Sequence, residues 1–210
     1  MISGCEALER LRQGNKRFVA NVRSLEVQLS QTRRRELTAG QSPFAIILGC
    51  SDSRVPAEIV FDQGLGDLFV IRVAGNIVAP SQVGSVEFAA ERFGTRLVVV
   101  LGHSQCGAIQ ATLEELHRPT DRQSRNLLSI VNRIRPSVEA LLATDIANDL
   151  DALMKQAVQA NVRASTNHLR SGSPVLEQLI QKQDLLVVGA EYSLETGIVD
   201  FFDGVPKAAP

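Results

Sequence analysis

The sequence predicts an α/β fold in which a mostly parallel open sheet is flanked by helices and preceded by an N-terminal helical arm. Four continuous apolar runs of strand length are the first observation, and they lie at 44–48, 68–73, 97–101 and 185–189. Unbroken Val, Ile and Leu runs indicate strands that are buried on both faces, as in a parallel sheet. Stretches with helical periodicity separate these runs, and such alternation is typical of a sheet with helices on both faces.

The chain is expected to begin with a helical arm over residues 6–39. Four apolar side chains of this segment share one helical face: Leu8, Leu11, Phe18 and Val19. Gly40 and Pro43 then end the helical pattern. Such an arm has little of its own to pack on, so we expect residues 1–40 to lie on the main body or on a second subunit.

Between the strands, helices are predicted at roughly 82–93, 106–116, 124–134, 145–170 and 174–182. A last apolar segment, 197–202, fits an edge strand of the sheet. The chain shows no internal repeat, low-complexity region or linker. It is therefore interpreted as a single domain over residues 1–210.

Composition and charge argue against several classes of function. The formal net charge is −1 and no basic run is present, so nucleic acid is not an expected partner. No apolar run approaches the roughly 18 residues of a membrane span. The N-terminus lacks the apolar segment of a signal peptide, which favours a cytoplasmic protein. Residues 2–5 resemble the end of a bacterial lipoprotein signal, so an exported lipoprotein is the alternative if the chain has been trimmed before Cys5.

The candidate catalytic and metal-binding residues follow two of the predicted strands. The first strand runs into Cys50, Asp52 and Arg54, and the third runs into His103 and Cys106. Ligands of open α/β sheets bind outside the carboxyl ends of the strands. If these two strands are neighbours, both loops face the same cleft.

Zinc is the metal that this set of side chains favours. Thiolate and imidazole are its preferred ligands, in a tetrahedral arrangement. Cys50, His103 and Cys106 provide three such ligands, and no fourth Cys or His stands in a matching motif. One position is therefore left for water, as in catalytic rather than structural zinc sites. Taken singly, the same residues also fit a buried structural cysteine and a surface ion pair.

Two thiolates cancel the formal charge of zinc. A water at the fourth position should therefore lose its proton less readily than at a site of three histidines, where its pKa is about 7. Asp52 is suited to accept a hydrogen bond from that water, or to swing onto the metal and close the site. The planar guanidinium of Arg54 fits a carboxylate. The two residues are interpreted as an orienting pair and as a switch.

Residues 50–58 (CSDSRVPAE) and 102–108 (GHSQCGA) resemble motifs of the β-class carbonic anhydrases. Residues 61–76 and 84–109 also fit the spacing of that family. The resemblance implies a lyase that reversibly hydrates carbon dioxide to bicarbonate and a proton. It also implies one Zn²⁺ per subunit, and a dimer or a tetramer built from dimers.

The resemblance also implies roles for individual residues. The three ligands named above fall on the zinc ligands of the family, and Asp52 and Arg54 fall on its catalytic dyad. Gln41 falls on the glutamine whose amide binds the substrate. Phe69 and Phe88 fall on positions that line the substrate pocket, often across a dimer interface.

Gly107 falls on a family position whose backbone N–H can approach the substrate. Some members also have a regulatory bicarbonate site, and parts of it have counterparts here. That regulatory site consists of a Trp, an Arg and a Tyr in some members. Arg72 and Tyr192 correspond here, but Ile47 replaces the Trp, and the chain contains no Trp. The family often reads RNVAN where residues 72–76 read RVAGN.

Two alternative functions remain open at this point. One is hydrolysis of a CO₂ analogue such as carbonyl sulfide or carbon disulfide by the same ligands. The other is a non-catalytic zinc-binding scaffold in which Asp52 permanently fills the fourth position. A thiol redox protein is disfavoured because the sequence lacks a C-x-x-C motif.

Overall fold

The computed structural model describes residues 2–22, 31–118 and 124–206. Its centre is a five-stranded sheet in the order β2-β1-β3-β4-β5. The strands are β1 (Ala45–Gly49), β2 (Leu68–Arg72), β3 (Leu97–His103), β4 (Leu186–Tyr192) and β5 (Val199–Asp203). The first four are parallel and β5 pairs antiparallel with β4. The predicted fold class and the predicted edge strand are both confirmed.

Eight α-helices are described around this sheet. They are α1 (Gly4–Val19), α2 (Gln31–Glu36), α3 (Ala57–Val60), α4 (Pro80–Arg92), α5 (Gly107–His117), α6 (Arg125–Val138), α7 (Leu150–Ser171) and α8 (Pro174–Gln183). Short 3-10 turns add Leu37–Ala39, Ala74–Asn76, Glu139–Ala143 and Asp145–Asn148. Among the described residues, no helix is both long enough and apolar enough to cross a membrane.

The sheet is buried on both faces, as its apolar strands predict. Alternate residues of one strand enter different clusters, so that Ile47 packs on the face toward α1 and Ile46 on the opposite face. A third apolar cluster surrounds Cys50 and Cys106 and includes Ile134 of α6. The two thiols therefore lie at the end of the sheet in an apolar environment.

The helical arm differs from its prediction in continuity. A capping box of Ser3 and Glu6 starts α1, and the helix ends at Val19. Asn21 then takes a left-handed φ of 55°, which a continuing α-helix excludes. Residues 23–30 of the predicted arm lie outside the described part of the chain. The single-domain interpretation stays a prediction.

Candidate metal centre

The two loops that the sequence singles out come together because β1 and β3 are adjacent and parallel. Gly49 at the end of β1 pairs with Leu101 of β3. The next residue, Cys50, and the last residue of β3, His103, therefore emerge at the same edge of the sheet. Sequence analysis expected both loops to face one cleft if these strands are neighbours, and the strands are neighbours.

Cys50, His103 and Cys106 form a compact and buried set of potential ligands. One sulfur or nitrogen atom from each lies within 4.8 Å of the others. The two Sγ atoms are 4.0 Å apart. Two thiolates about 2.3 Å from one tetrahedral ion would be about 3.8 Å apart, so the spacing fits zinc.

The imidazole of His103 is oriented for metal binding. Its Nδ1 lies 2.9 Å from the carbonyl oxygen of Ser104, which can only accept, so Nδ1 carries the proton. Its Nε2 is buried and has no hydrogen-bond partner in the described structure. A buried polar atom without a partner is unfavourable, and a metal ion would satisfy this one.

The sulfurs of the two buried cysteines lie within hydrogen-bond distance of each other. A hydrogen bond from Cys106, together with the N–H groups of Gly75 and Asp52, lowers the pKa of Cys50 to about 4. The same bond, burial and the charge on Cys50 raise the pKa of Cys106 above its ordinary value. The surroundings thus favour the thiolate form of Cys50, and a bound cation would favour that of both cysteines.

Asp52 and Arg54 form a tight pair beside this set. Arg54 donates from Nε to Oδ1 of Asp52 at 2.9 Å and from Nη2 to Oδ2 at 2.7 Å. This side-chain hydrogen bonding holds the pKa of the Asp52 carboxyl well below its usual range. Oδ2 also lies 3.8 Å from Nε2 of His103. A carboxylate whose ionised form is favoured therefore borders the metal-binding atoms.

Three contacts to backbone carbonyls hold these loops in place, and sequence reasoning missed them. Arg54 also reaches the carbonyl of Gln105 on the second loop at 3.3 Å. Arg72 donates to the carbonyl of Cys50 at 3.0 Å and to that of Asp52 at 2.6 Å. The residue matched above to a regulatory site thus holds the first loop in place. Only its position next to Gly49 in a parallel sheet could have indicated this contact.

The structure does not bring Gln41 and Phe69 to the metal centre of the same chain. Gln41 precedes β1 and lines a surface cleft of about 590 Å³ with Phe93. Cys50 follows β1, and five strand residues separate opposite ends by about 13 Å. Phe69 pairs with Ile46 in the first half of β1.

The remaining substrate positions differ in their surroundings. Phe88 is 52% exposed, and it packs with Phe69 and Phe93 beside the edge strand β2 at ring distances of 5.5–6.2 Å. Gly107 begins α5 directly after the ligand Cys106. A Cβ placed there would contact nothing within 4 Å, so the backbone is open to a small molecule.

Comparison with known sequences gives consistent results. A model of the carbonic anhydrase family matches residues 45–199. The chain is 39% identical over 191 residues to "Carbonic anhydrase 2" of Mycobacterium tuberculosis, covering 91% of this chain and 89% of that protein. It is 38% identical over 194 residues to a carbonic anhydrase of Mycolicibacterium smegmatis, covering 92% and 91%.

Solved structures show the same fold. The β-carbonic anhydrase CcaA superposes with a TM-score of 0.74 at 26% identity, over 94% of this chain and 95% of that one. A structure from work on two tetrameric β-carbonic anhydrases of Sordaria macrospora gives a TM-score of 0.72 at 25% identity, over 80% and 85%. The similarity therefore extends over most of the chain, including both loops of the metal centre.

Proposed function

The chain belongs to the β-class carbonic anhydrases, and from this premise we infer that it is a lyase that reversibly hydrates CO₂ to bicarbonate and a proton. One observation carries the inference beyond sequence similarity. Cys50, His103 and Cys106 converge within 4.8 Å, and the ionised Asp52 is held by Arg54 beside them. Three ligands with an adjacent fixed acceptor are what hydration of a small electrophile requires.

We propose that one Zn²⁺ per subunit occupies this set. Thiolate and imidazole ligands favour zinc over magnesium or calcium, which prefer oxygen. Zinc, when bound, supplies a Lewis acid that lowers the pKa of a water molecule. The free thiols of Cys50 and Cys106 fit a reducing compartment such as the cytoplasm, which stays part of the proposal.

Three side chains prepare the site for reaction. His103 is kept in one tautomer by the Ser104 carbonyl, so that its Nε2 lone pair stays available. Asp52 accepts a hydrogen bond from the attacking water and so turns a lone pair of that water toward CO₂. Arg54 occupies both oxygens of Asp52 and keeps this carboxylate from moving onto the metal.

Binding of CO₂ is proposed to need a second copy of the chain. The backbone N–H of Gly107 is open beside the ligands, but Gln41 and Phe69 lie away from them in the same chain. Strand β2 is at the sheet edge, and the half-exposed Phe88 lies beside it. A dimer across this edge would supply Gln41, Phe69 and Phe88 of one copy to the pocket of the other. A tetramer could be built from such dimers, and the relatives from Sordaria macrospora are tetrameric.

The alternatives are less well supported. A non-catalytic scaffold would need Asp52 fixed on the metal, whereas both oxygens of Asp52 are bonded to Arg54. A hydrolase of carbonyl sulfide or carbon disulfide would use the same ligands. The relatives that cover nine-tenths of the chain are carbonic anhydrases, which favours CO₂.

The test of this function is Asp52→Asn. We expect the variant to keep full zinc but to lose about 10²–10⁴-fold in kcat for CO₂ hydration, because the amide no longer offers a charged acceptor. Stopped-flow hydration and zinc content would be measured on the same samples. Asp200→Asn, on the exposed side of β5, is the control and should hydrate CO₂ as the wild type does. Wild-type turnover by fully loaded Asp52→Asn would refute the orienting role.

A further inference from the structure

A short turn beneath Cys50 contacts its sulfur through the backbone. We call Ala74–Asn76 the glycine turn. The N–H of Gly75 donates to Sγ of Cys50 at 3.3 Å, in a buried environment. Gly75 has φ 69° and ψ 20°, and Asn76 follows with φ 42°. Two successive left-handed residues direct the N–H toward the sulfur, and residues other than Gly and Asn rarely adopt this conformation.

Space as well as conformation requires glycine at the centre of this turn. A Cβ at Gly75 would lie 2.8 Å from Cδ1 of Ile134 and 3.1 Å from the Cβ of Ala108. These two residues belong to α6 and α5, which enclose the turn. The turn is therefore closely packed, and a side chain at Gly75 would require Ile134 and Ala108 to shift.

Two buried side chains of α7 hold the glycine turn from the other side. Asn161 Nδ2 donates to the carbonyl of Gly75 at 2.8 Å, and Ser165 Oγ donates to the carbonyl of Asn76 at 3.2 Å. Residues four apart lie on the same face of a helix, so both donors point at the same turn. Both side chains are at least 95% buried. The orientation of the Gly75 peptide groups thus depends on α7.

We propose that Asn161 is a positioning residue of the metal centre, which holds the Gly75 N–H on the Cys50 sulfur and so weakens the electron donation of that sulfur to the metal. Hydrogen bonds to ligating sulfurs withdraw electron density from them and tune the metal. Two thiolates offset most of the charge of a divalent cation, so a donor on one of them keeps the cation more acidic. The inference rests on the metal site proposed above but not on its substrate.

The test uses the full-length protein loaded with Co²⁺ in place of zinc, without CO₂. Thiolate-to-cobalt charge-transfer absorption reports how strongly the sulfurs donate. In Asn161→Ala, we expect this band to move to longer wavelength, because a sulfur without its N–H donor gives up electron density more easily. Thr166→Val is the matched control. Thr166 is equally buried on α7, but its hydroxyl bonds Arg163 and Asp203 instead of the glycine turn.

The outcomes separate this inference from the proposed function. A shifted band in Asn161→Ala and an unchanged band in Thr166→Val would support it. An unmoved band in Asn161→Ala with one Co²⁺ per chain would overturn it and leave the metal centre intact. A wild-type protein that binds no Co²⁺ would refute the metal centre itself, and this inference with it.

A second measurement covers the case in which Asn161→Ala does not fold. Wild-type protein loaded with NMR-active cadmium should show scalar coupling between the metal nucleus and the amide proton of Gly75, transmitted through the N–H···S bond to Cys50. Coupling at Gly75 would support the inference, and its absence would overturn it. The amide of Gly102, which lies in β3, provides the uncoupled control within the same spectrum.

Discussion

The Asp52 carboxylate is held by three N–H groups of Arg54, namely the backbone N–H and two of the guanidinium. These bonds lower the pKa of Asp52 in the folded protein. A carboxyl group with a lowered pKa stabilises the fold above its ordinary pKa of about 3.9. This contribution is lost as the pH falls through the folded-state value.

Arg54→Ala should therefore be less stable than the wild type above about pH 4, and the difference should shrink as the pH falls further. The measurement is urea unfolding of both metal-free proteins over a range of pH. Arg92→Ala, exposed on α4, is the control and should show no such pH-dependent difference. A difference that grows in acid would contradict the pairing.

At the level of residues, the motif spacing in the sequence predicted the side chains that meet at the metal centre. It did not predict side chains, such as Asn161, that bind backbone groups near that centre. CxDxR and HxxC mark Cys50, Asp52 and Cys106 because each motif spans only a few residues at the end of one strand. Asn161 reaches the carbonyl of Gly75 from 86 positions away. Such a contact depends on where α7 packs, and no local pattern reports it.

Besides its apolar contacts with the core, the first helix is joined to the body by a buried amide, Asn15 of α1. Its Nδ2 donates to the carbonyls of Val60 and Gly197 at 3.1 and 2.9 Å, and its Oδ1 accepts from the N–H of Val199 at 2.9 Å. A single amide thus satisfies backbone groups at the end of α3 and at the start of β5. Removing it would leave these buried or partly buried backbone groups without the Asn15 side chain as a partner.

Asn15→Ala should lower the free energy of unfolding by about 2–4 kcal/mol, since each unsatisfied buried group destabilises by about 1–3 kcal/mol. Urea unfolding of metal-loaded protein at one fixed concentration would measure the change. Gln13→Ala, on the exposed side of the same helix, should change stability by less than about 0.5 kcal/mol. Equal stabilities of the two variants would contradict the role of Asn15.

At the level of elements, apolar runs and helical periodicity predicted the strands and the longer helices near their observed positions. The break after Val19 was not predicted. The left-handed conformation of Asn21 ends the helix, but the apolar periodicity of the flanking sequence does not reveal it. The glycine turn was also missed. It is a single turn that packs against α5 and α6 and is held by hydrogen bonds from α7.

The strand order of the whole molecule explains why Gln41 lies away from the metal-binding loops of its own chain. Strands β1 and β3 are central and bring the metal-binding loops together, whereas β2 is at the edge. Gln41 lies at the opposite end of β1 from Cys50. Gln41 is only nine residues before Cys50 in the sequence. The extended strand β1 lies between them, so the two residues are far apart in space.

Mixing two inactive variants would test whether Gln41 acts in a second copy. In a hybrid of Gln41→Ala and Asp52→Asn chains, one pocket would combine the intact Asp52 of the first chain with the intact Gln41 of the second. We expect CO₂ hydration to rise well above the sum of the separate variants after the chains are unfolded together and refolded. Activity equal to the sum would show that Gln41 acts within its own chain.

Zinc binding and CO₂ hydration should both require Cys50 and Cys106, and neither should require Cys5. Cys50→Ser and Cys106→Ser each remove a thiolate ligand, whereas Cys5→Ser alters an exposed residue of α1 and is the matched control. The decisive measurement is zinc per chain together with CO₂ hydration in these three variants. We expect one zinc and wild-type hydration in Cys5→Ser, and loss of both in the other two. Full zinc and undiminished hydration in Cys50→Ser or Cys106→Ser would contradict the proposed metal centre.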